Sequence, residues 1–564
     1  MKNRYHINTF LITLVVLLLG SCTFWQPQRL PESPGMVVAA HPVAADFGYE
    51  ILLSGGNAID AAVGTALVLG VVEPNASGLG GGGGILIYLN EPDSLTYINY
   101  YARAPQQVAE FNRDTHVSSA RAVLVPGTVA GLSQALEQYG TMSWTDIVNR
   151  SISKIENGFI VDENLNALMM DSYGKLMNHP QTSSIYLKDL FPYVAGDTLV
   201  NQQVLSTLRK LADQGPDSFY SGELADSIVN AVSALGGTIT GADLAGYKPV
   251  EKSPVRSKYR DYTLISAPPP QSGITLLEIL NIIEFKNISA MGNFNGNSAT
   301  FHFIAEAMKR GYADRMTYLS DPNFMEVPED VLLSDEYAEI RYATIDMDRA
   351  DPAVMEKTEA GDVQEFLQQN YHEPIDKDGS TTHISVVDRH GNAVSLTQTL
   401  NHFWGSGITV AGFLLNNGMM GFSDTDEANT NTSAPGRQPR STITPTMLFS
   451  DGDLFMVVGS PGAGRIISTL VEIICNIIDF GMTPDQANQA PRFCSRKSAE
   501  TLPVESRFDQ ALLDDLISMG HPIEVLGEMD NYFGGVHMIV VYPNSGMLKG
   551  SADPRRSGAV AGGI

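Results

Sequence analysis

The chain has 564 residues, of which 43% are hydrophobic and 18% are charged, and its formal net charge is −27 at pH 7. This composition is typical of a globular protein with a large core and excludes an intrinsically disordered chain. The excess of negative charge repels nucleic-acid phosphates and anionic lipid headgroups, so we predict no nucleic-acid partner and no direct binding to a lipid surface.

Residues 1–21 have the pattern of a secretory signal peptide, with basic residues before a short apolar run at 10–19. This run is shorter than the roughly 20 residues that a membrane-spanning helix needs. Residues 19–22 resemble a bacterial lipobox, in which Cys22 receives a lipid; the alternative is an ordinary signal peptide that ends near a cysteine. We therefore predict an extracytoplasmic protein, anchored to a bacterial membrane only by lipid on Cys22, in the periplasm or at the cell surface.

After the signal peptide, periodicity predicts a helix at 44–53 and a second helix that begins near Asn57. The glycines at 81–84 precede a predicted strand at 85–88. No Lys-Ser or Lys-Thr pair follows these glycines, which argues against a phosphate-binding loop. Close packing of the backbone at the entrance to the strand explains them better.

The middle of the chain, at 144–349, is predicted to be mostly helical. Its clearest helical periodicity lies at 154–159, 202–212 and 301–318. A polar, charged segment follows at about 350–380, and it has the composition of a flexible connector. It ends at the sequence Gly-Ser-Thr-Thr-His, which begins at Gly379.

The pattern then changes to strands, beginning with a hairpin formed by 384–388 and 393–399 around a Gly-Asn turn. Further strands are predicted at 412–415, 446–449 and 454–458, followed by a helix at about 465–480. Helices and strands occur in mixed order in both halves, so we predict layered α+β packing.

Thr381 is the candidate nucleophile. A threonine hydroxyl is a poor nucleophile until a base takes its proton, and one solution is to use the residue's own α-amine as that base. Thr381 acquires a free α-amine only if the bond between Ser380 and Thr381 is cut. A flexible connector followed by Gly-Ser-Thr-Thr-His and the first strand of a sheet is arranged for such a cut.

The sequence around Thr381 resembles the start of the small subunit of γ-glutamyltransferases, or glutathione hydrolases, in the N-terminal-nucleophile hydrolase superfamily. The resemblance covers nearly the whole mature chain, through motifs at 55–62, 126–131, 305–309, 381–394, 415–417, 459–462 and 551–555. It implies a four-layer αββα sandwich that two autoproteolytic fragments form together. These are a large subunit of residues 22–380 and a small catalytic subunit of residues 381–564.

The resemblance also implies a reaction sequence for Thr381. Thr381 first attacks the carbonyl of Ser380, and water hydrolyses the resulting ester into the two subunits. The mature Thr381 then attacks the substrate amide, with its α-amine as the general base because the reference pKa of such an amine, about 7.7–8.0, suits neutral pH. Thr399 aligns with the family's second threonine, whose hydroxyl orients the nucleophile.

Other residues align with the substrate-binding parts of the family's site. Asn401 aligns with an asparagine that lines the acyl pocket. Gly462 and Ala463 align with two glycines whose backbone N–H groups stabilise the oxyanion. Alanine keeps the N–H donor provided that it can adopt the required backbone conformation. Ser441 and Thr442 match a serine pair at the substrate carboxylate.

Two departures from the family pattern concern the acyl group. The family's arginine that binds the substrate α-carboxylate is replaced by Tyr101, and Arg103 stands two residues further on. The family's acidic pair, which binds the α-ammonium, is absent from the run 416–422, where Gly421 takes its place. The segment 423–438 is also shorter than a lid loop, which predicts an open cleft that admits water.

These observations leave three functions open. The leading hypothesis is an enzyme that cleaves γ-glutamyl amides such as glutathione, or related acyl amides, with transfer of the acyl group to water or an amine. The second is an acylase with the same mechanism for a non-glutamyl, glutaryl-type group. The third belongs to another class, a non-catalytic surface lipoprotein that binds peptides.

We predict no cofactor and no metal ion. His302 and Glu306 stand four residues apart on a predicted helix, but the sequence offers them no third ligand, which favours a helix surface or a core contact. If Cys22 carries lipid, Cys475 and Cys494 are the remaining cysteines, so we predict no disulfide framework.

Overall fold

The structure is a computed structural model that describes residues 33–350, 361, 380–423, 430–496, 501–542 and 545–563. The predicted signal peptide at 1–21, the lipidated Cys22 and nearly all of the connector at about 350–380 lie outside these residues, so those statements stay predictions. In the described part of the chain no helix is both long and apolar enough to span a membrane.

Helices occur along most of the described part of the chain. In chain order they are α1 (Pro42–Leu53), α2 (Ala58–Val72), α3 (Arg113–His116), α4 (Thr128–Tyr139), α5 (Trp144–Ile155), α6 (Glu163–Asp171), α7 (Tyr173–Met177), α8 (Pro180–Tyr186), α9 (Gln202–Gln214), α10 (Glu223–Ala234), α11 (Gly241–Ala245), α12 (Gly273–Glu284), α13 (Ile288–Met291), α14 (Ser298–Tyr318), α15 (Glu329–Leu332), α16 (Asp335–Ala343), α17 (Ile466–Ile478), α18 (Pro484–Gln489) and α19 (Gln510–Ser518). Short 3₁₀ helices lie at Ala120–Ala122, Pro216–Phe219, Gly418–Gly421, Ala463–Arg465 and Asn531–Phe533.

Strands also come from both halves of the chain. They are β1 (Gly35–Ala39), β2 (Gly82–Leu89), β3 (Ser94–Asn99), β4 (Phe159–Ile160), β5 (Leu187–Lys188), β6 (Phe191–Pro192), β7 (Thr198–Leu199), β8 (Val250–Lys252), β9 (Val255–Tyr259), β10 (Tyr262–Ser266), β11 (Ser380–Asp388), β12 (Ala393–Asn401), β13 (Thr409–Val410), β14 (Phe413–Leu414), β15 (Thr446–Ser450), β16 (Asp453–Gly459), β17 (Leu502–Glu505), β18 (Ile523–Leu526), β19 (His537–Tyr542), β20 (Met547–Ala552) and β21 (Ala559–Gly562).

Two antiparallel sheets form the centre of the fold. The first has seven strands in the order β21-β1-β11-β12-β2-β3-β8, and the second has six in the order β20-β19-β16-β15-β10-β9. Each sheet combines strands from both sides of the predicted cleavage site. The two predicted subunits therefore share both sheets, and neither has a complete sheet of its own.

Successive side chains of a strand point to opposite faces of the sheet, and this alternation separates the apolar cores on the two faces. In β1, Val37 and Ala39 pack against helices α1 and α2, whereas Met36 and Val38 enter a separate apolar core that joins the two sheets. A third core covers the outer face of the second sheet with α12, α14 and α17. The predicted α+β, four-layer αββα sandwich is confirmed.

The glycines before β2 serve close packing, as predicted. A β-carbon on Gly83 would lie 2.4 Å from the carbonyl oxygen of Thr397, which is shorter than any ordinary contact. Strand β2 pairs with β12 along this run, so the absence of side chains lets the two backbones approach.

The prediction of helix at 154–159 is wrong. Helix α5 ends at Ile155, and Gly158 has φ +83°, a left-handed conformation that ends the helical path. Phe159 then pairs with Leu199 in a short antiparallel ladder. Strands β9 and β10 also interrupt the predicted helical middle, and they become the edge of the second sheet.

Candidate active site

The predicted cleavage site lies on β11, next to the end of β12. The two strands are antiparallel neighbours in the middle of the first sheet, and their pairing shifts between Ser380 and Thr382. This irregularity, a bulge, places Thr381 off the regular ladder. Thr381 is 3% exposed and Thr399 is 5% exposed, so both hydroxyls are held in a nearly dry environment.

The Thr399 hydroxyl joins the two groups that would react in self-cleavage. Thr381 Oγ1 donates a hydrogen bond to Thr399 Oγ1 at 3.2 Å. Thr399 Oγ1 in turn donates to the carbonyl oxygen of Ser380. The backbone N–H of Asn401 donates to Thr399 Oγ1 at 2.8 Å and fixes its position. One hydroxyl therefore contacts both the candidate nucleophile and the carbonyl that it would attack.

Asn401 and Tyr101 meet beside these threonines. Asn401 has φ +83°, an unusual conformation for a residue with a side chain, in which asparagine is among the better tolerated residues. Its Nδ2 donates to the carbonyl of Asn417 at 3.3 Å, and its Oδ1 accepts from the Tyr101 hydroxyl at 3.4 Å. Asn401 and Tyr101, which the sequence predicted separately as substrate-binding residues, thus line one pocket with Thr381.

The predicted oxyanion donors lie on the turn between β16 and α17. Gly462 has φ +133° and Ala463 has φ +48°. Alanine therefore adopts a left-handed conformation here, at a cost of about 1–2 kcal/mol. Ala463 lines the same pocket as Thr381, whereas Gly462, one residue earlier in the chain, is absent from the lining residues.

A single pocket collects most of the predicted site. Its lining residues in the described part of the chain are Tyr101, Arg113, Arg315, Thr381, Thr399, Asn401, Met420, Gly421, Phe422, Asn431, Arg440, Ser441, Thr442, Ile443, Ala463, Gly464 and Arg496. None of them is His, Lys, Cys, Asp or Glu. Among these lining residues, no side chain offers a base with a pKa near neutrality. An α-amine on Thr381 would supply one.

Ser441 and Thr442 are held at the pocket by the neighbouring loop. The Ser441 N–H donates to the carbonyl of Pro270 at 3.0 Å, and its own carbonyl accepts from Ser272 Oγ at 2.6 Å. Ser441 is buried, while Thr442 is half-buried. Both residues therefore line the pocket on a segment that is held by hydrogen bonds to the backbone N–H and the carbonyl of Ser441.

The family model described as Gamma-glutamyltranspeptidase matches residues 44–563, which is nearly the whole described chain. The chain belongs to the gamma-glutamyltranspeptidase family. The glutathione hydrolase proenzyme of Escherichia coli (strain K12) is 36% identical, covering 97% of this chain and 98% of the relative. The acylase ACY 1 proenzyme of Pseudomonas sp. (strain SE83) is 33% identical, covering 94% of each.

Solved structures of the family agree with the fold. The cephalosporin acylase from Bacillus halodurans matches with a TM-score of 0.83 at 29% identity, covering 95% of this chain and 99% of that chain. The Helicobacter pylori gamma-glutamyltranspeptidase matches with a TM-score of 0.53 at 33% identity, covering 56% and 92%.

These comparisons confirm the predicted family and enzyme class, so the chain is an amidohydrolase or transpeptidase of the N-terminal-nucleophile type. The relatives named here are called a glutathione hydrolase, acylases and a gamma-glutamyltranspeptidase, and two of them are called proenzymes. The alternative of a non-catalytic, peptide-binding lipoprotein therefore receives no support.

Arg103 does not line the pocket, so it does not stand in for the arginine that binds the substrate carboxylate in the family. Its backbone pairs with Val125, and its guanidinium lies 5.6 Å from the centre of the Tyr247 ring, a cation–π contact. It is absent from the pocket lining. Tyr101 occupies the pocket instead, because Tyr247 and Gln438 donate to its carbonyl at 2.9 Å and 2.8 Å and hold its backbone.

Sequence reasoning missed the arginines of the pocket. Arg113, Arg315, Arg440 and Arg496 all line it, although the whole chain is strongly acidic. No motif marks them, because they stand on four separate segments that only the tertiary fold brings together. Gly421 lines the pocket as predicted, without an acidic neighbour among the described lining residues.

Two titratable residues lie outside the pocket lining, Glu73 close to the hairpin and His383 on its strand β11. Burial raises the pKa of Glu73 to about 7, while the Thr382 hydroxyl and Arg556 act to lower it. Burial, and then the neighbouring His537, hold the pKa of His383 well below its usual value, so this imidazole is neutral. His383 Nδ1 is hydrogen-bonded to Thr397 Oγ1 at 2.8 Å, two residues before Thr399.

His302 and Glu306 do have a third potential ligand nearby, contrary to the prediction, since His521 lies within ligand distance. However, His302 Nδ1 and His521 Nε2 are hydrogen-bonded to each other at 2.8 Å. Glu306 forms ion pairs with Lys309 at 2.6 Å and Arg310 at 2.9 Å. Each of the three residues thus already has a partner in the core, and the two cations beside Glu306 oppose a metal ion.

The predicted open cleft depends on the segment 423–438. Residues 424–429 lie outside the described part of the chain, so the prediction stays a prediction. Cys475 and Cys494 are buried free thiols.

Proposed function

We propose that this protein is a threonine-nucleophile hydrolase of acyl amides that matures by cutting its own chain between Ser380 and Thr381. The observation that carries the proposal is the double contact of the Thr399 hydroxyl. It accepts a hydrogen bond from Thr381 Oγ1 and donates one to the carbonyl oxygen of Ser380. A donor on this oxygen stabilises the negative charge that develops there when the nucleophile attacks.

Self-cleavage begins with attack of Thr381 Oγ1 on the carbonyl carbon of Ser380. The new C–O bond replaces the C–N bond, and the proton of the hydroxyl ends on the α-amine of Thr381. Water then hydrolyses the ester, leaving a carboxylate on Ser380 and a free hydroxyl on Thr381. The products are a large subunit that ends at Ser380 and a small subunit of residues 381–564.

Turnover repeats this chemistry on a substrate amide. The α-amine takes the proton of Thr381 Oγ1 as the oxygen attacks the acyl carbon, and the backbone N–H of Ala463 serves as an oxyanion donor together with that of Gly462. The C–N bond breaks, and the leaving amine receives the proton. Water, or an acceptor amine, then takes the acyl group from Thr381.

Small γ-glutamyl amides, with glutathione as the example, are the first candidate substrates, because several relatives are glutathione hydrolases. A specific observation favours a second candidate, an acyl group without an α-ammonium. Tyr101 and Gly421 stand where the family carries its arginine and its acidic pair. No described lining residue is an acid that could bind an ammonium. An unpaired buried charge costs several kcal/mol.

We also propose that Cys22 carries a lipid after removal of residues 1–21 and holds the enzyme outside the cytoplasm of a bacterium. The lipobox-like run at 19–22 supports this. Cys22→Ala should move the protein from the membrane fraction to the soluble extracytoplasmic fraction. Unchanged membrane association of that variant contradicts the proposal.

The experiment that tests the enzyme proposal follows maturation and activity together. Expressed without residues 1–21, the protein should resolve into fragments 22–380 and 381–564, and the smaller should begin with Thr381. Thr381→Ala should stay one chain and be inactive on every acyl anilide. Thr381→Ser keeps a hydroxyl and serves as the matched control, which should still cut itself. Any other first residue in the small fragment would overturn the assignment of the nucleophile.

A further inference from the structure

The loop of residues 402–412, which we call the Trp404 loop, follows the reaction end of the pocket directly. Strand β12 ends at Asn401, and the backbone N–H of Asn401 holds the Thr399 hydroxyl at 2.8 Å. The path of the Trp404 loop therefore decides where Asn401 lies, and Asn401 in turn fixes Thr399. A group that holds this loop acts on the reaction end from outside the pocket.

The backbone of the Trp404 loop is unusual. Trp404 has φ +65° and Ala411 has φ +49°, and Asn401 just before the loop has φ +83°. Residues with a side chain rarely adopt this left-handed conformation. Such strain persists only where the surrounding structure holds the chain in place. The loop therefore depends on its contacts.

Trp404 is the apolar anchor of the loop, and its partners belong to the predicted large subunit. The side chain is fully buried, with its ring 5.1 Å from that of Tyr186 in an edge-on arrangement. Its backbone N–H donates to the carbonyl of Asn75 at 2.9 Å, and its Nε1 donates to the carbonyl of Leu168 at 3.3 Å. All three partners precede Thr381 in the chain, so they come from the other side of the cleavage site.

Polar side chains of the same subunit bind the carbonyls of the loop. Lys175 Nζ, on α7, donates to the carbonyls of Phe403 at 2.9 Å and Gly405 at 3.4 Å. Thr182 Oγ1, on α8, donates to the carbonyl of Gly407 at 2.6 Å. These three carbonyls lie on both sides of the left-handed Trp404. The two side chains thus fix the part of the loop nearest to Asn401.

The far end of the loop is held in the same way. Asn201 Nδ2 donates to the carbonyl of Gly412 at 2.8 Å, and Thr207 Oγ1 donates to that of Ala411 at 2.7 Å. Among these donors, Lys175 alone carries a charge, and charge-assisted hydrogen bonds are roughly twice as strong as neutral ones. Lys175 is therefore the side chain whose loss should disturb the loop most.

We propose that Lys175 is a positioning residue, which holds the Trp404 loop so that Asn401 presents its backbone N–H to the Thr399 hydroxyl. Lys175 is absent from the described pocket lining, so it acts through the loop. After cleavage the loop and Lys175 stand on different chains, and the small subunit then depends on the large one for the geometry around its own nucleophile. This inference rests on the proposed function, because that function assigns Thr399 to both reactions.

The test begins with Lys175→Met, which removes the ammonium and keeps an apolar stem. The rate of self-cleavage, and kcat on whichever of γ-glutamyl and glutaryl 4-nitroanilide the unmodified enzyme hydrolyses faster, should each fall by about 10- to 100-fold. KM should stay within about threefold. Lys175→Arg should recover most of both rates. Lys210→Met removes a lysine from an exposed ion pair with Glu223 and is the matched control.

Combining Lys175→Met with Thr399→Ala separates positioning from a general loss of stability. If Lys175 acts through the Thr399 hydroxyl, its substitution should have little further effect on either rate once that hydroxyl is gone. Two decreases that multiply in the double variant overturn the inference. So does a Lys175→Met enzyme with the rates of the unmodified one.

Failure of the proposed function has a different signature. A protein that cuts itself but hydrolyses neither anilide contradicts the proposed turnover, and its self-cleavage rate still tests Lys175. A protein that does neither contradicts the whole proposal, and hydrogen exchange in the uncut Thr381→Ala background then decides about Lys175. Amides at 400–407 should exchange at least about tenfold faster with Lys175→Met than with Lys210→Met. Equal exchange overturns the inference.

Discussion

The two ends of the pocket differ in which segments of the chain form them. The proposed reaction end lies on one hairpin, where Thr381 and Thr399 face each other across paired strands. The acyl end is assembled from separate segments, with Tyr101 after β3, Arg113 on α3 and Gly421 on a 3₁₀ turn. The reaction end matches the family pattern, and the acyl end departs from it.

This difference has a physical basis. Attack on an amide needs the hydroxyl, the donor and the base within fractions of an ångström, and a central hairpin fixed by backbone hydrogen bonds provides that precision. Recognition of the acyl group needs only the correct charge and shape, and loops can change these without disturbing the sheets. A change of substrate with conserved chemistry is therefore expected to appear at the loop-built end.

The largest effect is expected at the reaction end. Thr399→Ala removes the one hydroxyl that contacts both Thr381 and the Ser380 carbonyl, so self-cleavage and turnover should each slow by about 10²- to 10³-fold. A time course of fragment formation on denaturing gels and kcat on an anilide measure the two rates. Thr399→Ser retains the hydroxyl and should recover most of both. If the alanine variant matures and turns over normally, the two ends do not differ in the way described.

A change at the acyl end should alter selection without stopping the chemistry. Tyr101→Arg combined with Gly421→Asp restores a cation and an acid, so the ratio of kcat/KM on γ-glutamyl to glutaryl anilide should rise by about 10- to 100-fold. Tyr101→Phe removes only the hydroxyl and is the control.

The added side chain at position 421 has a steric cost. A β-carbon on Gly421 would lie 2.9 Å from the β-carbon of Pro439, so the double variant should also lose thermal stability. Comparison with Tyr101→Arg alone separates this loss from the change in selectivity. An unmodified enzyme that already prefers γ-glutamyl by a hundredfold would show that other residues replace the missing charges.

The smallest effect concerns Glu73, behind the reaction end. Burial raises its pKa to about 7, above its usual value of 4.5, and its Oε2 is buried without a hydrogen-bond partner in the described part of the chain. Between these two pH values the folded state keeps a proton that the unfolded state has lost. Its contribution to the free energy of unfolding therefore falls as pH rises from 4.5 to about 7.

Glu73→Gln should remove this part of the pH dependence, making the variant relatively more stable near pH 7 than near pH 4.5. Denaturant unfolding of both proteins in the uncut Thr381→Ala background, at several pH values, gives the difference. Glu73→Asp, which keeps the charge, is the matched control. Parallel stability curves for the parent and the glutamine variant would contradict the raised pKa.

The sequence predicted secondary structure correctly where that structure depends on residues close together in the chain. Alternation of polar and apolar residues around a Gly-Asn turn predicted the hairpin of β11 and β12, and the helices at 202–212 and 301–318 were found by periodicity. The helix predicted at 154–159 was wrong because Gly158 ends the helical path and Phe159 finds a strand partner forty residues away. Strands β9 and β10 were not predicted, because they belong to a sheet whose other strands come from the other half of the chain.

By itself the sequence determined the family and the four-layer fold, and it predicted the reaction end of the pocket and the absence of the family's charged residues at Tyr101 and Gly421, since these follow from contiguous motifs. Only the tertiary structure decided which charged side chains line the pocket. Arg103, two residues from Tyr101, lies outside the pocket lining, whereas Arg113 reaches the carbonyl of Phe422, 309 residues later in the chain. Such a contact leaves no local periodicity or spacing, because it depends on how separate segments are packed.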